Sequence, residues 1–281
     1  MAREPSRSLN LRQYWTAHPV CARDEPPPNP QLVASLLDRS NRERTRLFWA
    51  EGCRSFLSAV ENRWPIRAVV YCPKLLRSPA AWQDIRRIPA SRRLKATEDE
   101  FVTLSRRREP DGIGVVCPQR WERLIDQNAA RGDVWVGLDS LRTPGNLGTI
   151  LRTCAAVGVR GVMLIGGESD PYDPAAIRAS MGAVFSVPLV RTSGKALAGW
   201  RARREILIVG TSPAASLDYR TLSYPTPLVL LMGSERTGLR DRQIALCDDV
   251  VSLPMTSRVD SLNLAVATSV MLYEIVGRHT R

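Results

Sequence analysis

The spacing of apolar residues changes near residue 133. From there on, short runs that are apolar at nearly every position, "VWVGLD", "GVMLIG", "SVPLV", "EILIVGT", "PLVLLMG" and "VVSLP", alternate with stretches of helical spacing. A strand that does not alternate is covered on both faces, so the pattern predicts a parallel sheet with helices on either side. Helices are expected from Leu147, over 174–181, over 195–203, from Arg240 and from Ser261. The last is apolar almost all round over 262–272 and is expected to be buried.

Upstream, over 31–118, helical and strand patterns alternate more loosely. A helix over 31–39, another through "EGCRSFLSAVENRW", a strand "IRAVVYC", a helix around "AAWQDIRR" and a helix "TEDEFVTLSRR" before "GIGVVC" predict a smaller α/β domain. The charged, weakly periodic "PQRWERLIDQNAARGD" is expected to act as a linker over 119–132, followed by the larger domain over 133–281. Residues 1–30 are polar and end in "RDEPPPNP", where successive prolines favour an extended chain, so a flexible basic arm is expected.

Charge narrows the partners. The 281 residues hold 40 Lys and Arg against 28 Asp and Glu, a net charge of +12, and only Lys74, Lys95 and Lys195 are lysines. Guanidinium forks suit phosphate oxygens, so nucleic acid is favoured over an anionic membrane surface. No apolar run reaches the roughly 20 residues of a membrane span, and the N-terminus lacks the apolar centre of a signal peptide. Six scattered cysteines without a C-x-x-C pair, and two histidines, support neither a metal site nor a disulfide framework. A soluble, cytoplasmic protein with reduced thiols is expected.

In open parallel sheets ligands bind beyond the carboxyl ends of strands, which directs attention to three loops. In "SLRTPGNLGTILR", Pro144 and Gly145 force a turn, Gly148 permits close approach, and Asn146 and Arg152 lie near the start of a helix. Taken alone it reads more readily as a capped strand-to-helix turn with Arg152 solvated or paired with a carboxylate. "LVLLMGSERTGL" has the outline of a phosphate loop but lacks the Lys-Ser/Thr pair that holds nucleotide and magnesium. In "VVSLPMTSRVDSLNLAVATSVMLYE", Pro254 ends a strand, Asp260 or Ser261 caps a helix, and Asn263 needs a polar partner beside an apolar helix.

In this order, each after a buried strand, the three stretches resemble motifs 1, 2 and 3 of the SpoU/TrmH-type RNA 2′-O-ribose methyltransferases of the SPOUT superfamily. "RASMGAVFSVPLV" is similar to the family's segment between motifs 1 and 2, and "AEGCRSFLSAV" and "PDGIGVV" are similar to its accessory substrate-binding domain. The resemblance implies an α/β parallel-sheet SPOUT domain whose segment near 229–276 is threaded into a deep trefoil knot, with a smaller N-terminal α/β RNA-binding domain. It implies S-adenosyl-L-methionine as cofactor, held by backbone groups at Gly233, Leu253 and Leu262 with Thr211 beside them, and a homodimer whose two copies complete each active site. Ser257 stands where many members carry glycine, and Arg236 where small residues are frequent.

Carried over, the site residues are Asn146 and Arg152 of motif 1, Glu235 of motif 2, and Ser261 and Asn263 of motif 3. A guanidinium is almost never deprotonated in a protein, so Arg152 is assigned to gripping a phosphate with Ser261 and stabilising developing alkoxide, with Asn146 and Asn263 orienting the site. The expected activity is methyl transfer to a ribose 2′-hydroxyl in RNA, ribosomal RNA before transfer RNA. The alternative is a catalytically silent RNA-binding or ribosome-assembly factor on the same fold.

Overall fold

The computed structural model describes residues 29–256, 258 and 260–279. Nearly all of the expected arm, and Ser257, lie outside the described residues. The chain divides into two units between Gln119 and Arg120.

In the first unit Asn29 opens α1 (Pro30–Ser35): its side chain accepts from the Leu32 N–H at 2.8 Å, and Pro30 supplies a helical φ at the first position. The single helix expected over 31–39 is in fact two, because Asp38 takes an extended conformation and caps α2 (Arg39–Thr45) through the Ser40 N–H. Arg42 is buried, and its Nη1 donates to the Leu36 and Leu37 carbonyls at 2.9 Å each, satisfying the end of α1. There follow β1 (Leu47–Glu51), α3 (Cys53–Glu61), β2 (Ala68–Tyr71), α4 (Pro79–Arg87), β3 (Arg93–Lys95), α5 (Glu98–Leu104) and β4 (Ile113–Pro118). The sheet order is β1-β4-β2-β3, with β4 antiparallel to both neighbours and β3 parallel to β2. Trp49, Val70, Phe101 and Val116 are core residues, and Gly114 leaves room for the Trp49 indole, which a Cβ there would meet at 2.2 Å.

The second unit contains β5 (Val134–Asp139), α6 (Pro144–Val157), β6 (Gly161–Ile165), α7 (Pro174–Ser180), β7 (Leu189–Thr192), α8 (Gly194–Arg201), β8 (Leu207–Thr211), β9 (Leu217–Asp218), β10 (Leu228–Met232), α9 (Asp241–Ile244), β11 (Asp249–Ser252) and α10 (Leu264–His279). Its sheet runs β7-β6-β5-β10-β8-β11-β9, and every neighbouring pair is parallel. β5, β6 and β10 are buried at every position, as their unbroken apolar runs require. From β5 the chain winds outward to β6 and β7, then crosses back to build the other half. The order therefore reverses between β5 and β10, the place where an open sheet leaves a crevice at its carboxyl edge.

Residues 120–132, expected as a linker, are built into this unit. Glu122 pairs with Val190, Leu124 enters the core, and the Gln127 carbonyl accepts from Trp200 Nε1 at 3.1 Å. No helix among the described residues is long and apolar enough to cross a membrane.

α6 and α7 touch through Gly148, where an added Cβ would lie 2.2 Å from the Ala176 carbonyl oxygen and 2.6 Å from Ala179 Cβ. Gly148→Ala is therefore expected to destabilise the chain: overpacking of about 1–3 kcal/mol outweighs the helix-propensity gain of about 0.5–1 kcal/mol. Denaturant titration should show a lower midpoint at unchanged slope.

Candidate active site

Three strand-end loops meet at the crevice. The first follows β5. Thr143 occupies the N-cap of α6 with extended backbone, yet its side chain caps nothing. The cap is supplied from the loop after β10: the Glu235 carboxylate accepts from the N–H groups of Thr143 at 3.2 Å and Arg142 at 3.4 Å. A negative charge at a helix N-terminus is favoured by the helix dipole. Asn146, in the first turn, donates its Nδ2 to the same carboxylate at 3.3 Å.

The loop that carries Glu235 folds back on itself. Ser234 N–H donates to the Gly238 carbonyl at 3.1 Å, and Gly238 N–H donates to the Ser234 carbonyl at 3.0 Å. Gly238 has φ +62°, and a Cβ on Gly233 would fall 2.1 Å from the Gly238 carbonyl carbon. Both glycines are needed for the main chain to approach itself this closely.

The third loop reaches the first through Asn263. Its Oδ1 accepts from the N–H groups of Ala265 at 2.9 Å and Val266 at 3.3 Å, so Asn263 caps α10. This corrects the expectation that Asp260 or Ser261 is the cap: the helix begins at Leu264. Asn263 Nδ2 donates to Asn146 Oδ1 at 3.0 Å. Glu235, Asn146 and Asn263 thus form one chain across all three loops. Its ends fix its polarity: an ionised carboxylate only accepts and a backbone N–H only donates, so each amide has one orientation. Partial burial pushes the Glu235 carboxyl up, but hydrogen bonds from its own backbone, Thr143, Arg142 and Asn146 outweigh it and hold the group below its ordinary value.

An open cavity of about 730 Å³ lies against this chain. Asn146, Glu235, Ser261 and Asn263 line it, as do Thr211, Gly233, Leu253 and Leu262, and so does Arg236. Arg152 does not. It is exposed further along α6, and its side chain makes no hydrogen bond or ion pair with another described residue. Two supports were not foreseen from sequence. Arg142 holds Glu168 through Nε at 2.6 Å and Nη2 at 3.1 Å, tying the loop after β5 to the loop after β6. Asp139, buried at the end of β5, accepts from Ser140 Oγ at 3.3 Å and from Gln243 Nε2, anchoring the strand to α9. A carboxylate closing a wholly apolar run was the available signal for the second.

The sequence model of the SpoU rRNA Methylase family matches residues 133–273, and that of the MRM3-like substrate binding domain matches 29–114. A 23S rRNA (uridine(2479)-2'-O)-methyltransferase of Streptomyces viridochromogenes is 33% identical over 254 residues, covering 88% of each chain. The chain belongs to the SpoU rRNA methylase family. Among solved SpoU-like structures, an AdoMet-bound rRNA methyltransferase from Sinorhizobium meliloti is 35% identical with a TM-score of 0.81, over 90% of this chain and 95% of that one. The SpoU methyltransferase AviRb from Streptomyces viridochromogenes, in complex with AdoMet, is 31% identical with a TM-score of 0.82, over 89% and 97%. In this SpoU chain the three loops that carry the motif resemblance are therefore the three that meet at the cavity.

Proposed function

We propose that the chain transfers a methyl group from S-adenosylmethionine to a ribose 2′-hydroxyl of ribosomal RNA in the cytoplasm. The observation that carries this reading is the Glu235–Asn146–Asn263 chain, which joins three strand-end loops along the wall of one cavity. The cavity fits the donor in kind. Its wall combines the tightly folded 233–238 backbone, the apolar Leu253 and Leu262 and the hydroxyl of Thr211, and Glu235 is its one carboxylate among the described lining residues. Thr211, Gly233, Leu253 and Leu262 would hold the donor, which supplies a methyl group already activated on a cationic sulfonium.

The chain's own residues do the rest. Asn146 and Asn263, locked in single orientations, position the ribose. Ser261 lies at the cavity and Arg152 beyond it, and together they take the phosphate beside the target sugar and stabilise charge on its oxygen. Arg152 keeps its proton, so the 2′-hydroxyl proton leaves to phosphate or water.

Arg152 completes a site in a homodimer, in keeping with its place outside its own cavity. On α10, Val266 is 50% and Tyr273 63% exposed, an apolar surface suited to a second copy. The knot belongs to the same reading: α10 follows β11, near one edge of the sheet, yet packs on central β10 and on α6, with Ser269 and Thr153 hydroxyls 2.9 Å apart. The first unit serves as the RNA-binding domain.

The test is transfer of tritiated methyl from S-adenosylmethionine to unmodified total RNA fractionated by size. Label in the large ribosomal RNA, recovered as an alkali-resistant dinucleotide, is expected. Label on a base, or no label from a protein that binds the donor, would overturn the reading; the latter is the behaviour of a silent RNA-binding factor.

A further inference from the structure

The first unit carries more than half of the positive excess: residues 29–119 hold 17 Lys and Arg against 10 Asp and Glu, within a chain of net +12. Five of these basic residues lie in two loops. Arg106, Arg107 and Arg108 follow one another between α5 and β4, and Lys74 and Arg77 follow β2. These loops and the start of α3 surround a cleft of about 750 Å³ lined by Cys53, Arg77, Ser78, Arg108, Glu109 and Asp111 among others.

The frame of the cleft is pinned by acidic groups turned to internal use. Asp111 Oδ2 accepts from the Cys53 N–H at 3.1 Å and pairs with Arg107 Nη1 at 2.8 Å. Glu51 accepts from Ser105 Oγ at 2.6 Å and from the Arg106 N–H at 3.3 Å. Gly52, at φ +105°, brings the backbone so close that a Cβ there would lie 3.0 Å from both Arg107 Nη2 and Asp111 Oδ2. Arg77 and Arg108, by contrast, are exposed and make no hydrogen bond or ion pair with any described residue. Two unpaired guanidiniums are thus presented from a fixed frame. Glu109, exposed in the same lining, disfavours phosphate beside itself and leaves those two as the anion ligands.

Resting on the reading that the substrate is RNA, we propose that this cleft docks the sugar–phosphate backbone of the substrate, with Arg77 and Arg108 each taking a phosphate. Phosphate contacts fix register and orientation without reading sequence, which is the service a methyl-transfer site needs from a second domain. Each such contact adds to the salt dependence of binding.

The test uses the full chain and an unmodified transcript of large-subunit ribosomal RNA, titrated by filter binding at several salt concentrations. Arg77→Ala/Arg108→Ala should bind roughly tenfold more weakly, with a log–log salt slope shallower by about 1.4 for two lost single-strand contacts. Arg86→Ala/Lys95→Ala, which removes the same charge from exposed positions of the same unit outside the cleft, should stay within about threefold. Arg77→Lys/Arg108→Lys should regain the slope, since a point charge still neutralises a phosphate. If the cleft variant matches the control while the wild type still binds RNA and transfers methyl, the docking site is wrong and the methyltransferase reading stands; a cleft built for an acidic peptide would give that result. A wild-type chain with no RNA affinity overturns both.

Discussion

Glu235→Ala is expected to slow methyl transfer by roughly 10²-fold or more while leaving donor affinity within about threefold, because it removes what positions the site and leaves the proposed donor contacts at Thr211, Gly233, Leu253 and Leu262 in place. The carboxylate receives the N–H groups of Arg142 and Thr143 and the side chain of Asn146. The two backbone donors are at an exposed helix end, where water can replace the lost acceptor, so the stability change should be that of a lost cap, about 0.5–2 kcal/mol. Asn146 is affected differently. Without an acceptor on Nδ2 nothing fixes its orientation, and Oδ1 no longer faces Asn263 by necessity. Glu235→Gln should lie between wild type and alanine, since an amide can accept from Asn146 but carries no charge to favour the helix N-terminus. Single-turnover rates beside calorimetric donor titrations separate the two effects; an unchanged rate with lost donor binding would make Glu235 a donor ligand.

The same carboxylate gives a pH prediction. Its folded pKa lies below the ordinary 4.5, so its contribution is complete above that value and is lost as pH falls through the lower, folded value. Transfer rate should therefore show no Glu235 limb in the neutral range and fall only on strong acidification, and Glu235→Gln should lose that acid limb.

How much of the fold is legible in the sequence depends on the range of each signal. β5, β6 and β10 announce themselves because strands buried on both faces have no polar positions to confuse with a helix. β3 and β9, with three and two residues, are too short for any period to show, and β1 sits directly between two helices. The joint order of the three motifs brings Asn146, Glu235, Ser261 and Asn263 to one place, but not how they are held. The Glu235–Asn146 bond spans 89 residues and the Asn146–Asn263 bond 117, and local patterns carry no information at that separation. Arg152 is the converse case. Six positions look close in sequence, yet on a helix at about 100° per residue they leave Arg152 and Asn146 roughly 120° apart around the axis.

That angular separation underlies the second large effect. Arg152→Ala is expected to lower methyl transfer by about 10²–10³-fold, as for loss of a group aimed at developing charge, without changing donor affinity. Because Arg152 is exposed and lies outside its own cavity, the proposed dimer makes a sharper claim: it serves the cavity of the other copy. Arg152→Ala and Asn146→Ala chains, each inactive alone, can be unfolded, mixed in equal amounts and refolded. If Arg152 acts across the interface, each mixed dimer contains one site with both groups intact, and random pairing restores about a quarter of wild-type activity. If it acts on its own cavity, every site in every dimer lacks one of the two groups, and mixing restores nothing. A mixture that forms dimers yet stays inactive would return Arg152 to its own subunit and require its side chain, α6 or the RNA to bridge the roughly 120° that separates Arg152 from Asn146 around the helix axis.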